Sequence, residues 1–152
     1  MKGFKKVLFP VDLSEVSQKI VPFVAIVAKK FKSEIHLLFV ARKFGYYSDV
    51  YVEAGNIRDF ESELVKGAEI KIDEFAKTYL KEYPDCKSKV ILGDAVEEIL
   101  AYIKDERIDL VIMGTHGRKG LDRILFGSVA ERVIKMSPVP VMSVNPYRIS
   151  IS

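Results

Sequence analysis

Gly114, Thr115, His116 and Gly117 follow a hydrophobic, strand-like run, and nine residues later Gly127 and Ser128 open a helical pattern. Glycines let a backbone approach an anion closely and adopt positive φ, and the unpaired amides at a helix start point at that anion with a favourable dipole. The chemistry this spacing suits is phosphate binding, with the amides of Gly127, Ser128 and Val129 as donors and the Ser128 hydroxyl adding a bond to a phosphate oxygen. Ser128 and Glu131 also make an S-x-x-E capping box, which opens many helices that hold no ligand. Gly114 after an apolar run likewise suits a plain tight turn. Neither G-x-x-x-x-G-K-S/T nor G-x-G-x-x-G occurs in the chain. That disfavours a P-loop NTPase and a hydride-transferring dinucleotide fold.

The elements that must position this loop alternate between short β-branched runs and longer helical patterns. A first run at 7–11 precedes a helix that Ser14 can cap, with Val16, Ile20, Val24, Val27 and Phe31 at helical spacing. Pro22 inside it predicts a kink or a break. A second run at 35–40 leads into a stretch at 42–56 with no helical period, long enough to suggest a lid or a disordered excursion. Ile57, Phe60, Leu64, Ala68, Ile72, Phe75 and Tyr79 then form one apolar helical stripe, with Gly67 tolerated at a cost of about 1 kcal/mol. A third run at 89–92 is followed by Asp94 and Glu97, a capping pattern for a helix through Val96, Ile99, Leu100 and Ile103. A fourth run spans 110–113, Val129, Val133 and Ile134 mark a last helix, and a fifth run at 139–144 carries Pro140. Pro138 and Pro140 restrict that last strand to a sheet edge.

Composition sets the frame. The chain has 152 residues, 49% of them hydrophobic, which suits a single domain over 1–152 with a core of its own. Lys and Arg total 24 against 21 for Asp and Glu, and the net charge of +3 is spread along the chain, which does not argue for nucleic acid. Cys86 is the only cysteine, so no intrachain disulfide is possible. The apolar run near the N-terminus is too short for a signal peptide, and no stretch approaches the roughly 18 apolar residues of a membrane span. A soluble, cytoplasmic protein without a membrane partner is expected.

Five apolar strands alternating with helices predict an α/β domain, an open parallel sheet covered by helices on both faces. Such sheets bind ligands beyond the carboxyl ends of their strands, where the strand order reverses. If the first and fourth strands are neighbours, Asp12 and the glycine loop meet at that crevice. This arrangement predicts the strand order 3-2-1-4-5, a Rossmann-like topology.

The spacing of Gly114, Gly117, Gly127 and Ser128, together with FPVDLS at 9–14 and SPVPVMSV at 137–144, resembles the universal stress protein family, and the similarity runs from the first strand to the last. The resemblance implies the same strand order and a homodimer formed through the fifth strands. The intact glycine motif is similar to that of the family members that bind ATP. Carried over from them, Pro10, Val11 and Asp12 line the nucleoside side, and Val40 offers backbone groups to the adenine. Met113, Gly114 and Gly117 border the ribose and phosphates, and Gly127, Ser128 and Val129 hold the phosphates. Ala130 stands where some binders have a hydroxyl residue, which implies one phosphate contact fewer.

Several residues admit two readings. Asp12 suits Mg²⁺ bridging phosphates, a ribose hydroxyl, or a cap shared with Ser14. Arg118, Lys119 and Arg123 are either triphosphate counter-charges or solvated loop residues. For His116 loop solvation is favoured over phosphate contact or acid or base work, since no second His or Cys is placed to form a site with it, His36 lying in a strand-like run. Tyr46, Tyr47 and Tyr51 either pack the 42–56 segment on the domain or cover a ligand or partner. The function expected is an adenine-nucleotide-binding regulatory or signalling dimer in stress response. The alternatives are a slow ATP hydrolase, for which no general base, positioning Gln or P-loop Lys is present and no catalytic residue is assigned, and a nucleotide-independent interaction module using 42–56 to hold a protein partner.

Overall fold

The computed structural model describes residues 3–43, 54–116 and 121–149, the side chains of 54, 55 and 121–126 excepted. In chain order the elements are β1 (Lys6–Pro10), α1 (Glu15–Phe31), β2 (Glu34–Ala41), α2 (Ala54–Tyr79), β3 (Lys87–Leu92), α3 (Ala95–Asp105), β4 (Leu110–Gly114), α4 (Leu121–Met136) and β5 (Val141–Val144). All five strands are parallel, in the order β3-β2-β1-β4-β5. This is the Rossmann-like order read from the sequence.

The two-residue repeat of a strand divides the core. In β1, Val7 and Phe9 join Ile20 and Val24 of α1 and Ile72 and Phe75 of α2 on one face. Leu8 turns to the other face with Leu38, Val96, Ile99, Met113 and Val133, beneath α3 and α4. Strands covered on both faces read as continuous apolar runs, which is why β1 and β4 were legible.

Ser14 caps α1, its hydroxyl accepting from the Val16 amide at 3.2 Å, and Asp94 caps α3 by accepting from the Glu97 amide at 3.0 Å. Helix α1 does not break at Pro22. That proline lies on the exposed side, while Ile20 and Val24 are buried on the sheet before and after it and hold both halves in place. Strand β5 begins after Pro140 rather than at 139, and the Pro140 carbonyl accepts from the Val111 amide at 3.0 Å. The strand is at the edge, as expected. Helix α2 begins at Ala54, inside the segment expected to be irregular. Tyr46, Tyr47 and Tyr51 lie outside the described residues.

The larger difference is in α4. It starts at Leu121, so Gly127 and Ser128 are interior residues and Ser128 is no cap. Nothing between 121 and 127 stops a helix: the segment is rich in Leu, Ile and Arg, good helix formers, and one interior glycine is tolerable. The amides unpaired by the helix itself are therefore those of 121–124 rather than those of Gly127, Ser128 and Val129.

At the opposite, amino-terminal side of the sheet, His36 is fully buried in β2. Its Nε2 lies 2.6 Å from Glu34 Oε1 and its Nδ1 2.8 Å from the Tyr102 hydroxyl. A carboxylate only accepts, so Nε2 donates to Glu34. Burial, with Glu106 and Glu34 nearby, pushes the Tyr102 hydroxyl up to about 12 from 10.0. Burial also raises the Cys86 thiol to about 11 from 9.0. A group whose neutral form is favoured by folding contributes its full stability below its ordinary value and loses it as pH climbs to the folded value. We therefore expect unfolding free energy to fall between pH 9 and about 12. Denaturant titrations of Tyr102→Phe should show a shallower fall above pH 10 than wild type, and parallel curves would contradict the assignment to Tyr102.

Candidate functional site

The crevice follows from the partners each strand keeps at its carboxyl end. β1 and β4 pair through Val7 with Leu110 and Leu8 with Val111. Beyond those pairs the Val11 amide turns to Leu38 of β2 at 2.9 Å, while the Thr115 amide turns to Val144 of β5 at 2.9 Å. The chain after β1 and the chain after β4 thus follow different neighbours. Open parallel sheets leave their ligand crevice at such a divergence, here between the ends of β1 and β4.

Pro10 closes β1 opposite Leu38, and Val11 is buried. Asp12 then organises the turn into α1. Its Oδ1 accepts from the Ser14 amide at 2.9 Å, the Ser14 hydroxyl at 2.6 Å and the Ser17 hydroxyl at 2.7 Å. Its own amide donates to the Ser17 hydroxyl at 3.0 Å. Leu13 takes φ of 61°, a conformation that costs a branched side chain about 1–2 kcal/mol and is held here by that network. Asp12 Oδ2 is buried and has no hydrogen-bond partner among the described residues. A buried acceptor left unpaired costs about 1–3 kcal/mol. The capping and ligand roles read for Asp12 are therefore compatible, one oxygen serving the turn and the other left for a donor.

On the other side, Met113 is buried in the core beneath α3 and α4, and Gly114 pairs with Val144. The Thr115 hydroxyl lies 2.9 Å from His116 Nδ1. The His116 ring meets Tyr147 edge-on at 5.4 Å, and Lys19 Nζ lies 5.3 Å from the centre of the same tyrosine. His116 is half-buried, packed on Tyr147 as well as partly open to solvent. Tyr147 was not legible in the sequence, since it follows the last strand with no periodicity to place it. Gly117, Arg118 and Lys119 lie outside the described residues, as does the side chain of Arg123.

Gly127 brings α4 onto the end of β4. A β-carbon there would lie 3.2 Å from the Thr115 carbonyl oxygen, a close approach that explains glycine at this position. Ala130 and Val133 are buried in the core below it. Ser128 is exposed and lines, with Val129, a cavity of about 310 Å³. Its other walls include Arg42, just beyond β2, Gly93 and Asp94 at the start of α3, and Arg132. Sequence reading missed both arginines. Arg132 had a signal, lying one turn beyond Ser128 on the same helix face, while Arg42 has none without the fold. Val40 pairs with Ile91 in the sheet and packs from its partly buried position against the core under α3.

The described residues thus offer one buried carboxylate oxygen without a donor after β1, a glycine at close backbone approach to the end of β4, and two arginines beside a serine in a neighbouring cavity. The universal stress protein family profile matches residues 3–145, and the chain belongs to that family. Universal stress protein MJ0577 of Methanocaldococcus jannaschii is 35% identical over 93% of this chain and 95% of its own length. Universal stress protein MJ0531 of the same organism is 32% identical over 93% of this chain and 82% of its own. The solved structure of hypothetical protein MJ0577 superposes with a TM-score of 0.76 at 32% identity, over 98% of this chain and 99% of that one. A universal stress protein solved in complex with cAMP shares the fold at 18% identity and a TM-score of 0.61, over 95% of this chain and 98% of that one. Among the described residues no helix is long and apolar enough to cross a membrane, and no cluster of three His, Cys, Asp or Glu residues could hold a metal ion.

Proposed function

We propose that this chain is a single-domain, cytoplasmic adenine-nucleotide-binding protein, with ATP as the ligand, acting as a regulatory dimer in stress response rather than as an efficient hydrolase. The observation that carries the reading is the buried, unpartnered Asp12 Oδ2 at the switch point. A ribose or adenine donor supplies the hydrogen bond that oxygen lacks. Pro10, Val11 and Val40 border the nucleoside, and Met113 and Gly114 form the floor at the end of β4, while the phosphate role read for Gly117 falls on a residue outside the described ones. Gly127 seats α4 against the Thr115 carbonyl, and Ser128 there offers its hydroxyl to a phosphate, with Val129 continuing the wall. A Mg²⁺ ion would be held chiefly by phosphate oxygens, with Asp12 as the nearest carboxylate in the turn.

The partner is a second copy along β5, whose outer edge is open in the sheet order. Exposed Met142 on that strand and exposed Ile134 and Met136 near the end of α4 supply apolar surface there. One experiment tests both statements: melting and sedimentation of the same samples with and without ATP and Mg²⁺. At ATP of about 100 times Kd the native state gains about 2.7 kcal/mol, a rise of roughly 5–10 °C for a domain of this size. A melting temperature unmoved by millimolar ATP would remove the nucleotide reading, and a monomer at all concentrations would remove the dimer.

A further inference from the structure

The cavity beside Ser128 holds charge that the fold itself does not use. Arg42 and Arg132 both line it, and both are exposed side chains. Among the described residues neither makes an ion pair, whereas Lys77, Lys87 and Lys135 pair with Asp73, Glu34 and Glu131. The one carboxylate in the cavity wall is Asp94, and its Oδ1 is occupied by the Glu97 amide at 3.0 Å. Glu98 folds over Gly93, its Oε1 2.8 Å from where a β-carbon would stand, and lines the groove on the other side with Lys89 and Tyr102. The wall therefore carries two guanidinium groups against one carboxylate, one of whose oxygens caps α3.

Donors of a second kind stand in the same wall. The Glu97 amide is taken by Asp94 Oδ1 and the Glu98 amide by the Asp94 carbonyl at 2.9 Å. The amides of Ala95 and Val96, the other two of the first turn, have no intrahelical partner, and both residues line the cavity. Guanidinium forks match phosphate oxygens in pairs, and first-turn amides add to that preference for an anion.

We propose that Arg42 and Arg132 form a polyphosphate clamp, which takes the outer phosphates of a nucleotide seated at Asp12 and Ser128 and makes the site select triphosphate over monophosphate. This rests on the nucleotide reading for its inner half. Ser128 lines the same cavity as both arginines, so a phosphate held at its hydroxyl stands within that cavity's wall. Arg42 closes the chain from the β2 side. The clamp is a determinant of specificity and takes no chemical step.

The test is calorimetric titration of wild type, Arg42→Gln, Arg132→Gln and the double variant with ATP, ADP, AMP and inorganic tripolyphosphate. Melting curves without ligand verify that the variants are folded. Wild type should prefer ATP to AMP by roughly 100-fold, each single variant should lose roughly ten-fold for ATP and tripolyphosphate, and AMP should stay within about two-fold. Losses equal for ATP and AMP, or variants indistinguishable from wild type while ATP binds, overturn the clamp and leave the nucleotide reading standing. Tripolyphosphate binding that the double variant abolishes, in a protein that ignores every nucleotide, supports the clamp and overturns the nucleotide reading.

Discussion

Gly127→Val should abolish the ATP-dependent rise in melting temperature and lower the melting temperature of the free protein. The missing β-carbon faces the Thr115 carbonyl oxygen at 3.2 Å, and that carbonyl is poorly placed to retreat. The Thr115 amide is tied to Val144 at 2.9 Å, its hydroxyl contacts His116 at 2.9 Å, and His116 is backed by Tyr147. The helix must move instead, and it carries Ser128 and Arg132 on one side and the buried Ala130 and Val133 on the other. Overpacking of this kind costs about 1–3 kcal/mol, against which the better helix propensity of valine returns only about 0.5 kcal/mol. Gly127→Ala separates the terms. Its propensity gain of about 1 kcal/mol opposes a contact that a small shift relieves, so stability should stay near wild type while ATP affinity falls less than in the valine variant. Thermal melts of the three proteins with and without ATP measure both effects.

Asp12→Asn should leave the protein folded and weaken ATP binding by roughly ten- to 100-fold, the worth of about 1.5–3 kcal/mol for a hydrogen bond to a charged acceptor. The asparagine carbonyl keeps an acceptor for the Ser14 and Ser17 donors now held by Oδ1. The amide nitrogen replaces Oδ2 with a donor, so a ligand hydroxyl or amine finds no acceptor. Asp12→Ala removes both functions. It leaves three donors without their acceptor and Leu13 at φ of 61° without its support, so it should also destabilise α1 by about 2–3 kcal/mol. Denaturant curves together with ATP titrations distinguish the two variants.

The expectations that held were those carried by neighbours in sequence or by burial on both faces. Ser14 and Asp94 cap the helices that follow them because the bond reaches only two or three residues. The strand order was legible because the loops after β1 and β4 carry the unusual residues and a switch point puts those loops together. Strand starts were read late at Glu34 and Lys87, where a charged side chain lies on the rim while the backbone still pairs. The start of α4 was misplaced for a different reason. Glycine followed by serine and, three residues on, glutamate has the local form of a helix start, but here the glycine answers to Thr115, twelve residues earlier at the end of β4. Arg42, Arg132 and Tyr147 acquire their places only through tertiary contacts.

The proposed nucleotide site is tested most directly by calorimetric titration of ATP with Mg²⁺ into wild type and Asp12→Asn at matched concentrations. Saturable binding at about one ATP per chain, weakened roughly ten-fold or more in Asp12→Asn, is the predicted result. No saturable heat at millimolar ATP, or equal affinities for the two proteins, would contradict it.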